Sequence, residues 1–187
     1  GCMAKLKIAA IVGSLRKGSY NLQLAHKAKE IVGDRAEFEI IDFSDVPNIN
    51  PDIEFPAPEA VRRVREKINA ADGVWFFTPE YNHSYPGLLK NLIDWLSRKP
   101  SETERQSFSR KPVAISGASN GLGGTVTAQD LLVMLLSMLN ADVMNFPRLR
   151  VPNAQEQADE NGVLHLTTSL PYLEKQADAF LKYIDKK

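Results

Sequence analysis

Leu6-Lys7-Ile8-Ala9-Ala10-Ile11-Val12-Gly13-Ser14-Leu15-Arg16-Lys17-Gly18-Ser19-Tyr20-Asn21 runs from a short apolar stretch straight into a polar loop punctuated by glycine. An apolar run of this length, closed by glycine, predicts a strand buried on both faces. Beyond the loop, Leu24, Ala25, Ala28, Ile31 and Val32 recur at helical spacing and stop at Gly33, the usual punctuation of a helix C-terminus. Strand, loop and helix in that order open an α/β chain.

The same unit repeats. Phe38-Glu39-Ile40-Ile41 reads as a second strand, followed by a proline-rich loop (Pro47, Pro51, Pro56, Pro58) and a charged helix with Val61, Val64 and Ile68 on one face. Gly73-Val74-Trp75-Phe76-Phe77-Thr78 is a third strand ended by Pro79, and Pro86 opens a helix with Leu88, Leu92 and Leu96 along one side and Leu89 and Ile93 beside them. Residues 99–111 are polar and read as a surface loop. Pro112-Val113-Ala114-Ile115-Ser116 is the fourth strand, leading through a Gly-rich turn to an apolar helix lined by Leu131, Leu135 and Leu139. Asp142-Val143-Met144-Asn145-Phe146 is the fifth. Residues 147–169 read as irregular with an edge strand at 163–166, and a last amphipathic helix carries Leu173, Ala177, Phe180, Leu181 and Ile184.

Strands alternating with helices imply a parallel sheet, since each crossover returns the chain to the same end. Five units in 187 residues predict one α/β domain over residues 4–187, a three-layer sandwich with a five-stranded parallel sheet in the order 2-1-3-4-5. In that order the ligand crevice lies at the carboxyl ends of strands one and three, where the winding reverses.

Composition narrows the function classes. Lys+Arg and Asp+Glu both number 23, a balance that gives no global attraction to nucleic acid or to an anionic membrane. Self-association is plausible on the same ground. The single cysteine, Cys2, allows no intrachain disulfide, and His26, His83 and His165 have no metal-ligand spacing. No stretch approaches the roughly 20 apolar residues of a membrane span. Gly1 and Cys2 ahead of Met3 read as a cloning remnant, and the expected location is the cytoplasm.

The loop after strand one has the chemistry of an anion cradle. A helix start offers unpaired N–H groups and the positive end of a dipole. Ser14 and Ser19 add hydroxyls, Asn21 an amide, and Arg16 a permanent charge whose fork fits phosphate oxygens. The plainer alternative is a helix capped by Ser19 with solvated basic neighbours. Gly13 and Gly18 have P-loop separation, but Ser19 stands where the phosphate-binding lysine belongs, and Leu15 stands where a dinucleotide fingerprint needs glycine. Acidic residues that a signalling receiver domain would carry at the ends of strands one and three are missing from 12–14 and 77–79.

After strand three, Pro79, Glu80, Tyr81 and Asn82 offer an apolar face and backbone edges to a flat heteroaromatic ring; a rigid turn with core-packed tyrosines is the alternative. Glu80 is not required as a base, and His83 reads as a solvated loop residue. After strand four, residues 116–125 form a Gly-rich turn, a weak signal by itself.

Residues 13–21 (GSLRKGSYN), 79–91 (PEYNHSYPGLLKN) and Asp94-Trp95 together resemble the NADPH-dependent FMN reductase family, which includes bacterial chromate and quinone reductases and is similar to the azoreductases. The resemblance implies a flavodoxin-like fold with bound FMN and NAD(P)H as co-substrate. It implies that Ser14, Arg16, Ser19 and Asn21, with Tyr20 beside them, hold the FMN phosphate, and that Pro79, Glu80, Tyr81 and Asn82 border the isoalloxazine. Ser116, Ser119, Asn120 and Gly121 are expected at the pyrimidine end, though Ser119-Asn120-Gly121 departs from the family's commonest wording. The chain is too short for a separate nicotinamide domain, so NAD(P)H and an acceptor (quinone, free flavin, chromate or azo compound) are expected to visit one site in turn. The chemistry would be the cofactor's, with no catalytic metal, nucleophile or triad. Homodimers or homotetramers are expected, with the 131–139 helix and residues 147–169 as contact surfaces. A non-catalytic FMN carrier remains an alternative, weakened by zero net charge because flavodoxins are strongly acidic, and so does a flavin-free interaction module.

Overall fold

β1 (Leu6–Val12) lies inside the sheet, with β2 (Ala36–Ile40) on one side and β3 (Gly73–Phe77) on the other, followed by β4 (Pro112–Ala118). Every ladder is parallel, and the order is β2-β1-β3-β4-β5. The structure, a computed structural model, describes residues 4–186; the remnant reading of residues 1–3 lies outside them.

Alternation along β1 builds the layers. Ile8, Ala10 and Val12 pack with Leu24, Ala25 and Ala28 of α1 (Tyr20–Val32) and with Leu173, Ala177 and Phe180 of α5 (Leu170–Asp185). Ala9 and Ile11 face the other way, against α2 (Glu59–Ala70), α3 (Gly87–Leu96) and α4 (Val126–Met138). A strand buried on both faces has to be apolar at every position, and that is why the opening stretch reads as it does. Trp75 anchors the first layer, stacked on Phe77 at 5.2 Å and edge-on to Phe180 at 5.6 Å.

Three expectations are corrected. The strand expected over 142–146 shrinks to β5 (Asp142–Val143), and pairing resumes at β6 (Leu149–Val151), inside the stretch read as irregular. Both lie along the same border of β4: β5 pairs with Pro112 and Val113, β6 with Ser116, Gly117 and Ala118. The break falls at Phe146, 90% exposed, and Pro147, which has no N–H to give a ladder. Residues 163–166 form no strand; Leu164 makes one antiparallel bridge with Ala158. On α4 the buried line is Ala128, Leu132 and Leu136, while Leu131, Leu135 and Leu139 are half-buried. Polarity misleads about the inner face of this helix, since Gln129 is buried on it while Met134 and Met138 are exposed.

Residues 99–111 are not wholly a surface loop either. Phe108 is buried against Phe76, ring centroids 6.3 Å apart, and Lys111 Nζ donates to the carbonyls of Ile68 and Ala71 at the end of α2. Burial pushes the Lys111 ammonium below its ordinary value. On α3, Asn91 and Trp95 both donate to the Pro47 carbonyl, at 2.9 and 2.8 Å, and Asn91 accepts from Ile49 N–H. These two motif residues hold the proline-rich loop.

Candidate active site

Register brings the loops together. Val12 is paired with Phe77, and Phe77 with Ser116, so the chain leaves β1, β3 and β4 at one end of the sheet, at neighbouring points. Gly13 N–H donates to Phe77 O at 2.8 Å. A Cβ at Gly13 would lie 2.9 Å from Pro79 Cδ and 3.0 Å from Leu89 Cδ1, so only glycine lets the first loop lie against the third. Residues 13–19, 78–85 and 119–125 therefore gather at one end of the sheet, where the crevice is expected.

In the first loop Ser19 caps α1: its Oγ accepts from Asn21 N–H at 3.1 Å and Leu22 N–H at 3.3 Å. Those bonds use the oxygen's lone pairs and leave its proton free to donate. Ser14 Oγ accepts from Arg16 N–H, and Ser19 N–H donates to Arg16 O, which curls the loop. Among the described residues neither Arg16 nor Lys17 has an ionic partner within the protein. Capped helix and anion cradle are thus compatible readings of one loop.

Asn21 takes a different place from the one expected. It is buried; its Nδ2 donates to Ala118 O at 3.1 Å and its Oδ1 accepts from Ala118 N–H at 2.9 Å. The side chain acts as a clip that extends the β4 hydrogen-bond pattern onto α1. Gln23 makes a second tie, donating to Gly18 O and Gly162 O and accepting from Leu164 N–H. Tyr20 is half-buried against the core layer of α1 and α5.

In the third loop Tyr81 and Ser84 exchange backbone hydrogen bonds around Asn82 (φ 53°) and His83 (φ 63°). Two central residues with positive φ make a type I′ hairpin turn. It presents Tyr81, half exposed, and His83 at its tip. Glu80 reaches across the crevice: its Oε1 accepts from Ala128 N–H, in the first turn of α4, at 2.8 Å, and its Oε2 is 4.0 Å from His83 Nδ1.

The fourth loop is tied to the chain beyond β6. Ser119 N–H donates to Val151 O, Ala154 N–H to Ser119 O, Asn153 N–H to Gly121 O, and Gln155 N–H to Asn120 Oδ1. Ser119 is half-buried; Asn120 and Gly121 are exposed beside the crevice. Ser116 is a correction. It is fully buried, accepts from Trp75 Nε1 at 2.9 Å and donates to Gln176 Oε1 at 2.5 Å. Its hydroxyl is spent on these two core partners. Gln176 completes the set by donating to Ile115 O.

Sequence reading missed Glu80 as a cap and Gln23 as a tie, because both bonds join residues far apart in the chain. Nothing in the sequence marks Glu80 for this role, because Thr125 at the N-cap position of α4 is itself a residue type that caps helices.

A model of the NADPH-dependent FMN reductase family matches residues 6–156. An NAD(P)H-dependent FMN reductase of Pseudomonas aeruginosa is 40% identical over 180 residues, covering 96% of this chain and 95% of that one. A 2-hydroxy-1,4-benzoquinone reductase of a Burkholderia species is 35% identical over 179 residues, covering 96% of each. Among solved structures, the flavoenzyme NAD(P)H:(acceptor) oxidoreductase FerB of Paracoccus denitrificans superposes with a TM-score of 0.86 at 34% identity, covering 97% of this chain and 98% of its own. An archaeal flavodoxin, 12% identical with a TM-score of 0.60, shares the fold.

Proposed function

From the premise that the chain belongs to the NADPH-dependent FMN reductase family and is an FMN-using, NAD(P)H-dependent oxidoreductase, we propose that the crevice between loops 13–19, 78–85 and 119–125 holds FMN and that quinone-type acceptors are reduced there. The observation that carries the proposal is the convergence of a cationic, hydroxyl-bearing loop and a Pro-flanked hairpin at the β1–β3 switch point. The donor set fits the cofactor. Ser14 and Ser19 hydroxyls, the Arg16 guanidinium and the start of α1 face a phosphate with no internal anion competing for them.

When bound, FMN supplies the acceptance and release of hydride. The protein's part is to bind and orient. Arg16, Ser14 and Ser19 hold the phosphate, and Asn21 fixes that loop to the end of β4. Pro79, Tyr81 and Asn82 border the ring through the rigid I′ turn, and Ser119, Asn120 and Gly121 offer small side chains and backbone on the opposite wall. With one crevice for both substrates, NAD(P)H and the acceptor occupy it alternately, which gives ping-pong kinetics. Free flavin, chromate and azo compounds belong to the same acceptor set.

The proposal extends to self-association. α4 exposes Met134 (57%) and Met138 (82%), and Phe146 stands beside Arg148, which bonds Asp130 on α4 at 2.7 Å. Exposed apolar residues grouped on one helix mark a contact surface, here for a second copy of the chain.

The test is direct. Purified protein reconstituted with FMN and made anaerobic should bleach on adding NADPH and regain its colour on adding a quinone. Steady-state velocities should give parallel double-reciprocal lines. Bleaching without catalytic turnover of quinone would identify a carrier instead, and failure to retain FMN would remove the reading altogether.

A further inference from the structure

Helix α4 begins without a cap of its own. Thr125, at its N-cap position, has a left-handed backbone (φ 70°) and a side chain that makes no capping bond; its Oγ1 accepts from Gln129 Nε2 at 3.0 Å instead. Thr125 is also buried against the end of β4, where a Cβ on Gly117 would fall 2.0 Å from Thr125 Oγ1 and 2.5 Å from Thr78 O. The first-turn N–H of Ala128 is satisfied by Glu80, which arrives from the loop after β3, 48 residues away in the chain. The carboxylate sits at the positive end of the helix, the place where an anion is most stabilising.

We infer that Glu80 is a positioning residue: its carboxylate fastens the 78–85 hairpin to the start of α4, and so fixes the separation of the two walls between which the flavin ring lies. The inference rests on the FMN-site reading above and goes beyond it, because it assigns Glu80 to the scaffold and not to the ring or to proton transfer. The bond joins the loop after β3 to the first turn of the helix that follows β4, while Pro79, adjacent to Glu80, packs where a Cβ on Gly13 of the phosphate loop would lie. Two adjacent residues, Pro79 and Glu80, thereby tie the hairpin to the other two loops. A short side chain at position 80 would leave α4 without this partner and the hairpin free to swing.

Three variants test it. Glu80→Ala removes the acceptor, Glu80→Asp keeps the charge but is one methylene too short to reach, and Glu80→Gln keeps both length and an acceptor oxygen. Amide exchange at Ala128 in flavin-free protein should quicken about tenfold in E80A and E80D and stay within about twofold of wild type in E80Q. FMN dissociation constants should follow the same division, with about tenfold weaker binding in E80A and E80D. The visible circular dichroism of bound FMN should change in E80A and E80D and be restored in E80Q. E80D keeps the assay informative if E80A folds poorly. Faster Ala128 exchange with unchanged FMN affinity and dichroism would reduce Glu80 to a helix cap and overturn the inference. Unchanged exchange would overturn it outright. Wild-type protein that binds no FMN would defeat the site reading and this inference together, and is told apart by the wild-type titration alone.

Discussion

Arg16 is the residue at which the phosphate reading is most exposed to experiment, because nothing within the described protein occupies its guanidinium. Arg16→Ala should leave the fold intact and weaken FMN binding about ten- to a hundredfold, the worth of a charge-assisted hydrogen bond, as measured by fluorescence titration. Ser116→Ala should do the reverse. It strands the Trp75 indole N–H and the Gln176 carbonyl in the core, at a cost of about 1–3 kcal/mol read from the urea midpoint, while FMN affinity of the folded protein holds. Both residues were drawn from the sequence as cofactor contacts. The grouping of Ser14, Arg16 and Ser19 is legible because it is local to one loop. The places of Ser116 and Asn21 are not, because where the side chain of a β4 residue or of the first turn of α1 points depends on neighbours 60 and 97 residues away. A serine in a Gly-rich turn gives no hint that an indole and an amide are waiting for it.

Elements follow from pattern wherever pattern exists. β1 and β3 follow from continuous apolar runs and the helices α1, α2 and α5 from helical spacing; alternation marks the sheet as parallel, and its order is that of a doubly wound fold. α4 and the border strand resisted for different reasons. In α4 the polar Gln129 is buried while Met134 and Met138 are exposed, so polarity did not mark the inner face; the expected fifth strand stops at Val143, and pairing resumes only at β6, beyond Pro147. Replacing Met134 and Met138 together by lysine should lower the solution mass to that of a monomer, measured by sedimentation velocity. A wild-type chain that is monomeric across the micromolar range would remove the contact-surface proposal.

The molecule as a whole is tuned more by placement of charge than by its amount, since the formal sum is zero. Asp42 is held below its ordinary 3.8 first by Ser44 N–H, and Asp45 first by the Arg63 guanidinium, whose two nitrogens meet its two oxygens at 2.7 Å. Carboxyls with depressed folded values add stability that is present above 3.8 and is lost as pH falls through those lower values. Arg63→Ala should therefore make acid unfolding shallower in that window by removing most of the Asp45 share and trimming that of Asp42, which Ser44 mainly sustains, followed by circular dichroism against pH. Neither border of the sheet invites a neighbour: β2 alternates Glu37 and Glu39 outward, and the far side is fractured between β5 and β6. Strand-to-strand polymer growth is opposed at both margins, by the glutamates of β2 on one and by the gap between β5 and β6 on the other.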